Sequence, residues 1–342
     1  MKDPYGLLTE ADAERARSRY GAAAALYREA AARAGRDAEL KAAALAGLGD
    51  ALRMVGRFAE AARSYERARL LAVKTGDEAA VLDAIVGRAL ALRATGEHRE
   101  AAGLLRRALR GYDRLGDRQG RAFTLWALGG TMRIRGDISK AIDFFEQARE
   151  LFEELGERGG VGYSLAGLGG AWRVAGRPDR SERCYGEANA LFTELKDTFG
   201  TAYSFCGLGN ARRMEGDFKE ALAYFRKAES RYRRIGDKVS YAYTLWAEAT
   251  TCHLLGRRGR AEAALDEAVR LFRETRDRRG LIYCALSQAQ LHMGTRRPWA
   301  LRRMREALRR AQKYGFKVER RYARRVLEAA RKDPSSLPLN LA

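Results

Sequence analysis

The chain has 342 residues, of which 46% are apolar and 32% charged, and it carries a formal net charge of +21. That apolar share excludes a disordered chain, and the charge excess favours anionic partners: nucleic acid, an acidic protein surface or anionic lipid. Met1 to Ala11 lacks the apolar core of a secretion signal and no run approaches a membrane span, so a cytoplasmic protein without a transmembrane segment is expected. Cys184, Cys206, Cys252 and Cys284 show no CxxC spacing and read as buried free thiols in a reducing compartment.

In chain order, Thr9-x-x-Asp12 resembles a capping box opening one long Ala-rich helix to about Ala34, which predicts an N-terminal capping helix within residues 1–39. From residue 40 onward the sequence repeats every forty residues. Leu48-Gly49, Leu128-Gly129, Leu168-Gly169 and Leu208-Gly209 are each followed, seven residues after the Gly, by Gly56, Gly136, Gly176 and Gly216. The second and sixth copies carry Ala89 and Ala249 at the first Gly, followed by Gly96 and Gly256. A fixed period of this length means stacked supersecondary units rather than a globular active-site core.

The third copy shows what one unit is. Arg121 to Arg135 places Leu125, Leu128 and Met132 at helical spacing, Gly136 ends that helix, and Asp137 is positioned to cap the next. A second helix follows from about Ile138 to Leu155, with Ala141, Phe145, Ala148 and Phe152 on one stripe. Gly156-Glu157 closes the unit, as Gly76-Asp77, Gly116-Asp117 and Gly236-Asp237 do elsewhere. The expectation is an all-α, right-handed solenoid of helical hairpins over 40–295. Basic helices from Trp299 to about Tyr314 and from Val318 to Lys332 close the stack within 296–333, and 334–342 form a disordered tail. The stretch from Arg296 to Lys332 alone carries fifteen Lys or Arg against three Glu.

Within each hairpin a small residue, an aromatic or Leu, and an Ala recur, as in Ala141, Phe145 and Ala148 or Ala221, Phe225 and Ala228. With the Leu-Gly of the first helix, this pattern resembles the tetratricopeptide repeat. The period is longer than that family's usual one and is similar to the lengthened repeats of the Leu-Gly-Asn polarity scaffolds, a triplet present as Leu208-Gly209-Asn210. The resemblance implies that first helices line a concave face and that the chain is a binding scaffold, not an enzyme.

Two ladders lie on those first helices. Arg53, Arg93, Arg133, Arg173 and Arg213 recur forty residues apart, with His253 in the sixth rung. Ten residues earlier lie Phe123, Tyr163, Tyr203, Tyr243 and Tyr283, with Trp126 and Trp246 three residues after Phe123 and Tyr243. Ten residues is close to three helical turns, so each aromatic shares a face with its Arg. One account of the arginines is complementing the helix dipole, since each sits three residues before a terminating Gly. The other is recognition of an anionic ligand. Rungs about 10 Å apart match an acidic side chain roughly every third residue of an extended peptide. Asp50 and Asn210 are placed to fix peptide backbone groups.

Other signals point away from chemistry. Gly167-Leu168-Gly169 resembles half a dinucleotide fingerprint but lies in mid-helix without a preceding strand. His98, His253 and His292 show no metal spacing, and His98 is expected exposed in a turn. The junction acids Asp77, Asp117, Glu157, Asp197, Asp237 and Asp277 read as helix caps. No catalytic residue, cofactor or metal is expected. The leading expectation is an adaptor holding an acidic extended protein segment in the Arg/Tyr-lined groove. The rival is a nucleic-acid binder, taking single-stranded RNA through the same groove and the basic C-terminal stretch, which is also suited to an anionic surface.

Overall fold

The computed structural model describes residues 3–332, which form seventeen α-helices and no strand. The first eight are α1 (Pro4–Ala16), α2 (Tyr20–Arg33), α3 (Ala38–Met54), α4 (Phe58–Thr75), α5 (Glu78–Thr95), α6 (His98–Leu115), α7 (Arg118–Arg135) and α8 (Ile138–Glu154). There follow α9 (Arg158–Val174), α10 (Pro178–Glu194), α11 (Thr198–Glu215), α12 (Phe218–Ile235), α13 (Lys238–Leu254) and α14 (Arg258–Glu274). The stack ends with α15 (Arg278–Leu291), α16 (Arg297–Lys313) and α17 (Lys317–Lys332). Each helix packs on the next, and each odd-numbered helix also packs on the odd-numbered helix that follows. The odd helices therefore form a continuous inner layer, and the even helices flank it outside.

Turn chemistry follows from the sequence at most junctions. Gly76, Gly116 and Gly236 end outer helices in the left-handed region, and Asp77, Asp117 and Asp237 accept bonds from backbone N–H groups of the inner helices they precede. Lys196 and Arg276 occupy the same left-handed position at φ 57° and 56°, where a Cβ costs about 1–2 kcal/mol.

Packing explains the Leu-Gly signature. The ring of Phe145 wedges between Gly129 of its own hairpin and Gly167 of the next inner helix, and the ring of Tyr185 wedges likewise between Gly169 and Gly207. A Cβ at Gly129 would lie 2.8 Å from Phe145, and one at Gly169 would lie 2.7 Å from Tyr185. Both rings are buried, each contributing about 2 kcal/mol. In the two repeats where Ala89 and Ala249 replace the glycine, the wedge is the smaller Leu105 or Leu265. A methyl on one helix is compensated by a smaller wedge on its partner.

Several expectations are corrected. The N-terminal segment is not one capping helix but a hairpin, α1 and α2, broken at Ser18 with φ 58°. Asp3, not Thr9, caps α1, and the Thr9 hydroxyl bonds the Tyr5 carbonyl one turn back. Asp137 and Glu157 make no cap bond to the helices they precede. His98 is buried at 4% exposure instead of exposed, and Cys184 and Cys206 are only partly buried, whereas Cys252 and Cys284 are buried. The tail at 334–342 lies outside the described residues.

The sequence does not announce that the superhelix comes round on itself. Lys317 bonds Asp137 at 2.8 Å, and Arg278 reaches the Thr95 carbonyl at 3.3 Å and Glu97 at 3.6 Å. Phe316 packs on the His98 ring at 5.6 Å, and Thr275 presses on Gly56. The turns of the first three repeats thus meet the last hairpins, and the inner layer encloses a central space. No helix among the described residues is long and apolar enough to cross a membrane.

Candidate ligand-binding cavity

The central space is a cavity of about 320 Å³ that opens to solvent, lined mostly by inner-layer residues from Arg53 onward, with Phe58, Tyr185 and Tyr232 of outer helices and Phe316 of the last turn. Four rungs of the arginine ladder, Arg53, Arg93, Arg133 and Arg173, line it together. They come from the last turns of α3, α5, α7 and α9, which the solenoid stacks side by side. Each side chain is half-buried, and among the described residues none pairs with a carboxylate within 4.0 Å.

Local sequence shapes this wall. Arg93 reaches across to α7 and lies on the bare backbone at Gly130, and Arg133 lies in the same way at Gly170 on α9. Arg93 also sits 5.9 Å from the Trp126 ring centre and makes a long 3.4 Å bond to the Ala127 carbonyl. Burial, and then the charges of Arg53 and Arg133, push Arg93 down to about 9. At neutral pH it remains cationic, so the cost of its position is carried as repulsion.

The opposite wall is built differently. Asp237 and Asp277 are buried and raised by that burial, although backbone N–H groups of Ser240 and Gly280 favour their charged forms. Arg279 pairs with the fully buried Glu319 at 2.5 Å. Burial opposes the Arg279 charge, yet Glu319 holds it well above its ordinary value.

The remaining predicted site residues divide clearly. Tyr203, Tyr243, Tyr283, Trp246 and Asn210 also line the cavity. Several have polar groups already committed: Tyr243 to Asp277 at 3.2 Å, Tyr283 to Glu319 at 2.6 Å, and Trp246 to Ser287 at 2.8 Å. Asn210 donates to the Cys206 carbonyl within its own helix at 2.9 Å. Arg213 is wholly buried behind the wall, bonds Asn210 at 3.3 Å, and is lowered to about 10 by burial and then Arg173. The cavity lining also leaves out His253, Phe123, Trp126, Tyr163 and Asp50. Tyr163 bonds the cap residue Asp197 at 2.6 Å, Trp126 bonds the Tyr163 carbonyl at 3.2 Å, and Asp50 accepts from Tyr65 and Arg15. Phe123 stacks on Trp126 and is 42% exposed, and His253 is half-buried and lowered by that burial.

Sequence reasoning missed Asp237 and Asp277 as lining residues because their capping role already accounted for them. It missed Arg279 because the reading sought one residue type recurring at forty. Phe199, Val239 and Arg279 are themselves forty apart and all face the cavity, but their chemistry changes at each rung.

The tetratricopeptide repeat family profile matches residues 80–154, 163–234 and 201–274. No curated protein matches the chain in sequence. Among solved structures, a Rap protein complexed with Competence and Sporulation Factor superposes with a TM-score of 0.65 at 13% identity, over 97% of this chain and 98% of the other. NprR in complex with its cognate peptide NprX superposes with a TM-score of 0.62 at 14% identity, over 96% and 98%. The Rap conjugation gene regulator of the plasmid pLS20, also in complex with a peptide, gives 0.61 at 13% identity, over 92% and 86%. At these identities the likeness is one of fold.

Proposed function

The chain belongs to the tetratricopeptide repeat family, and from that premise we propose that it is a non-enzymatic scaffold holding an acidic, extended protein segment against its inner arginines. The observation that carries this reading is the set of four half-buried guanidiniums without carboxylate partners along one cavity wall. Two such charges about 10 Å apart repel by roughly 0.4 kcal/mol in water and by about 1.7 kcal/mol at an effective dielectric of 20. Carboxylates placed between them relieve that cost, and Arg meets carboxylate by forked hydrogen bonds. Tyr203 supplies an aromatic face on the same wall. The peptide complexes of the Rap and NprR proteins support a peptide as the ligand class. Four unpaired thiols suit a reducing, cytoplasmic setting.

A second reading, binding of nucleic acid, draws on α17. Its buried residues include Val318, Tyr322, Val326 and Leu327, and it turns Arg320, Arg321, Arg324 and Arg325 outward. Equilibrium binding of a labelled acidic peptide pool and of a labelled oligonucleotide, each across a salt series, separates the two. The scaffold reading expects peptide binding with a shallow salt slope that weakens when Tyr203 is truncated. Oligonucleotide binding with log K falling by about 0.7–0.9 per neutralised phosphate per decade of salt, with no peptide binding, would overturn it.

A further inference from the structure

Arg53, Arg93 and Arg133 face the cavity, and no carboxylate of the described residues pairs with them. The Nε atoms of Arg53 and Arg133 are buried and meet no hydrogen-bond partner, and Arg93 makes only its long bond to Ala127. A buried donor left without an acceptor is destabilising, so such groups persist where something else completes them. Burial opposes the Arg53 cation while Tyr65 and the charge of Asp50 favour it, but no carboxylate pairs directly with Arg53, Arg93 or Arg133. Asp50 is held by Tyr65 at 2.7 Å and Arg15 at 2.9 Å. Asp137 is held by Lys317 at 2.8 Å and Arg135 at 2.7 Å.

The donors are also fixed in place. Gly130 leaves room on α7 for the Arg93 guanidinium, Gly170 does so on α9 for Arg133, and Trp126 flanks Arg93. A Cβ at Gly130 would displace the Arg93 guanidinium, and one at Gly170 would press on the Tyr185 hydroxyl and on Arg133. The fork is thus arranged before any ligand arrives, which reduces the ordering cost of binding.

We propose that Arg53, Arg93 and Arg133 form a seat for oxyanionic groups, carboxylate or phosphate, with Arg93 at its centre. This deepens the peptide reading and rests on it only for where the ligand lies. The planar, always-charged fork of Arg matches both oxyanions, whereas chloride is a single spherical acceptor that cannot meet two arms of the fork with separate oxygens.

The test is thermal melting of the full chain in sodium phosphate, sodium acetate or sodium chloride, each at about 10 mM anion and equal ionic strength, for the wild type, Arg93→Gln and Arg53→Gln. The wild type is expected to melt higher in at least one oxyanion than in chloride, by ~2 °C or more. A rise in both assigns carboxylate and phosphate alike, and a rise in phosphate alone assigns a phosphate group. Arg93→Gln is expected to melt no lower than the wild type in chloride and to lose the rise, and Arg53→Gln to lose most of it. Equal melting of the wild type in all three salts, or a rise undiminished in both variants, would overturn the seat. Should Arg93→Gln fail to fold, Arg53→Gln alone decides. Acidic peptide binding that persists in Arg93→Gln without any oxyanion effect sinks the seat and leaves the scaffold reading standing. An oxyanion effect without peptide binding does the reverse.

Discussion

Lys317 donates to Asp137 at 2.8 Å across 180 residues of chain, joining the start of the last helix to the turn between α7 and α8. With the Arg278–Glu97 pair it converts an open superhelix into a closed one around the arginine-lined cavity. Neighbouring hairpins are held by buried rings and methyls, and at this seam ion pairs flank the contacts of Phe316 with His98, Val318 with Gly136 and Thr275 with Gly56.

Exposed ion pairs contribute about 0–1 kcal/mol each and are screened by salt. The double variant Lys317→Ala, Arg278→Ala should therefore melt within a few degrees of the wild type yet give a larger radius of gyration in solution scattering. High salt should move the wild type in the same direction. An unchanged radius in the variant would show that the apolar contacts of Phe316, Val318 and Thr275 hold the ring without the ions.

The wedge of Tyr185 between Gly169 and Gly207 makes a second prediction. Gly169→Ala gains about 1 kcal/mol of helix propensity but drives a methyl into a ring that Gly207 prevents from retreating. Overpacking of about 1–3 kcal/mol should dominate, lowering the urea midpoint. Adding Tyr185→Leu should recover part of the loss, because Ala89 with Leu105 and Ala249 with Leu265 already use that pairing. A single variant as stable as the wild type would contradict the account of packing.

Glu229 gives a dependence on pH. Burial first, and then the neighbouring Glu248, raise its carboxyl well above the ordinary 4.5, and its Oε1 has no hydrogen-bond partner. The folded state thus keeps a proton that the unfolded chain releases. The stability linked to this group is complete below about 4.5 and is lost as pH rises through the elevated folded value. Glu229→Gln should match the wild type in urea unfolding at pH 5 and exceed it by about 1 kcal/mol or more at pH 9. A variant no more stable at pH 9 than at pH 5, relative to the wild type, would remove the argument.

The fold was largely legible because the repeat's chemistry is local. A Gly that must take positive φ, as at Gly136 or Gly216, and an apolar stripe such as Phe145 to Phe152 declare themselves in a few residues. The arginine ladder was legible for the same reason, as identical residues at equal spacing. Closure of the superhelix was not, because Lys317 with Asp137 and Phe316 with His98 depend on the small twist added at every hairpin. That accumulated twist buried His98, drew Asp137 away from its capping role, and brought Arg279 across from Arg53. The break at Ser18 escaped notice because an Ala-rich run reads as one helix until a hairpin can bury both halves.

We propose that the inner arginines bind a ligand and do not hold the fold. The most direct test of this claim is titration calorimetry of an acidic peptide pool into the wild type and into the triple variant Arg93→Gln, Arg133→Gln, Arg173→Gln, with melting curves recorded on both. Each charged hydrogen bond lost costs about 1.5–3 kcal/mol, so affinity should fall at least tenfold while the melting temperature stays level or rises. A triple variant that unfolds at a much lower temperature, yet binds the pool as tightly as the wild type when folded, would contradict the claim.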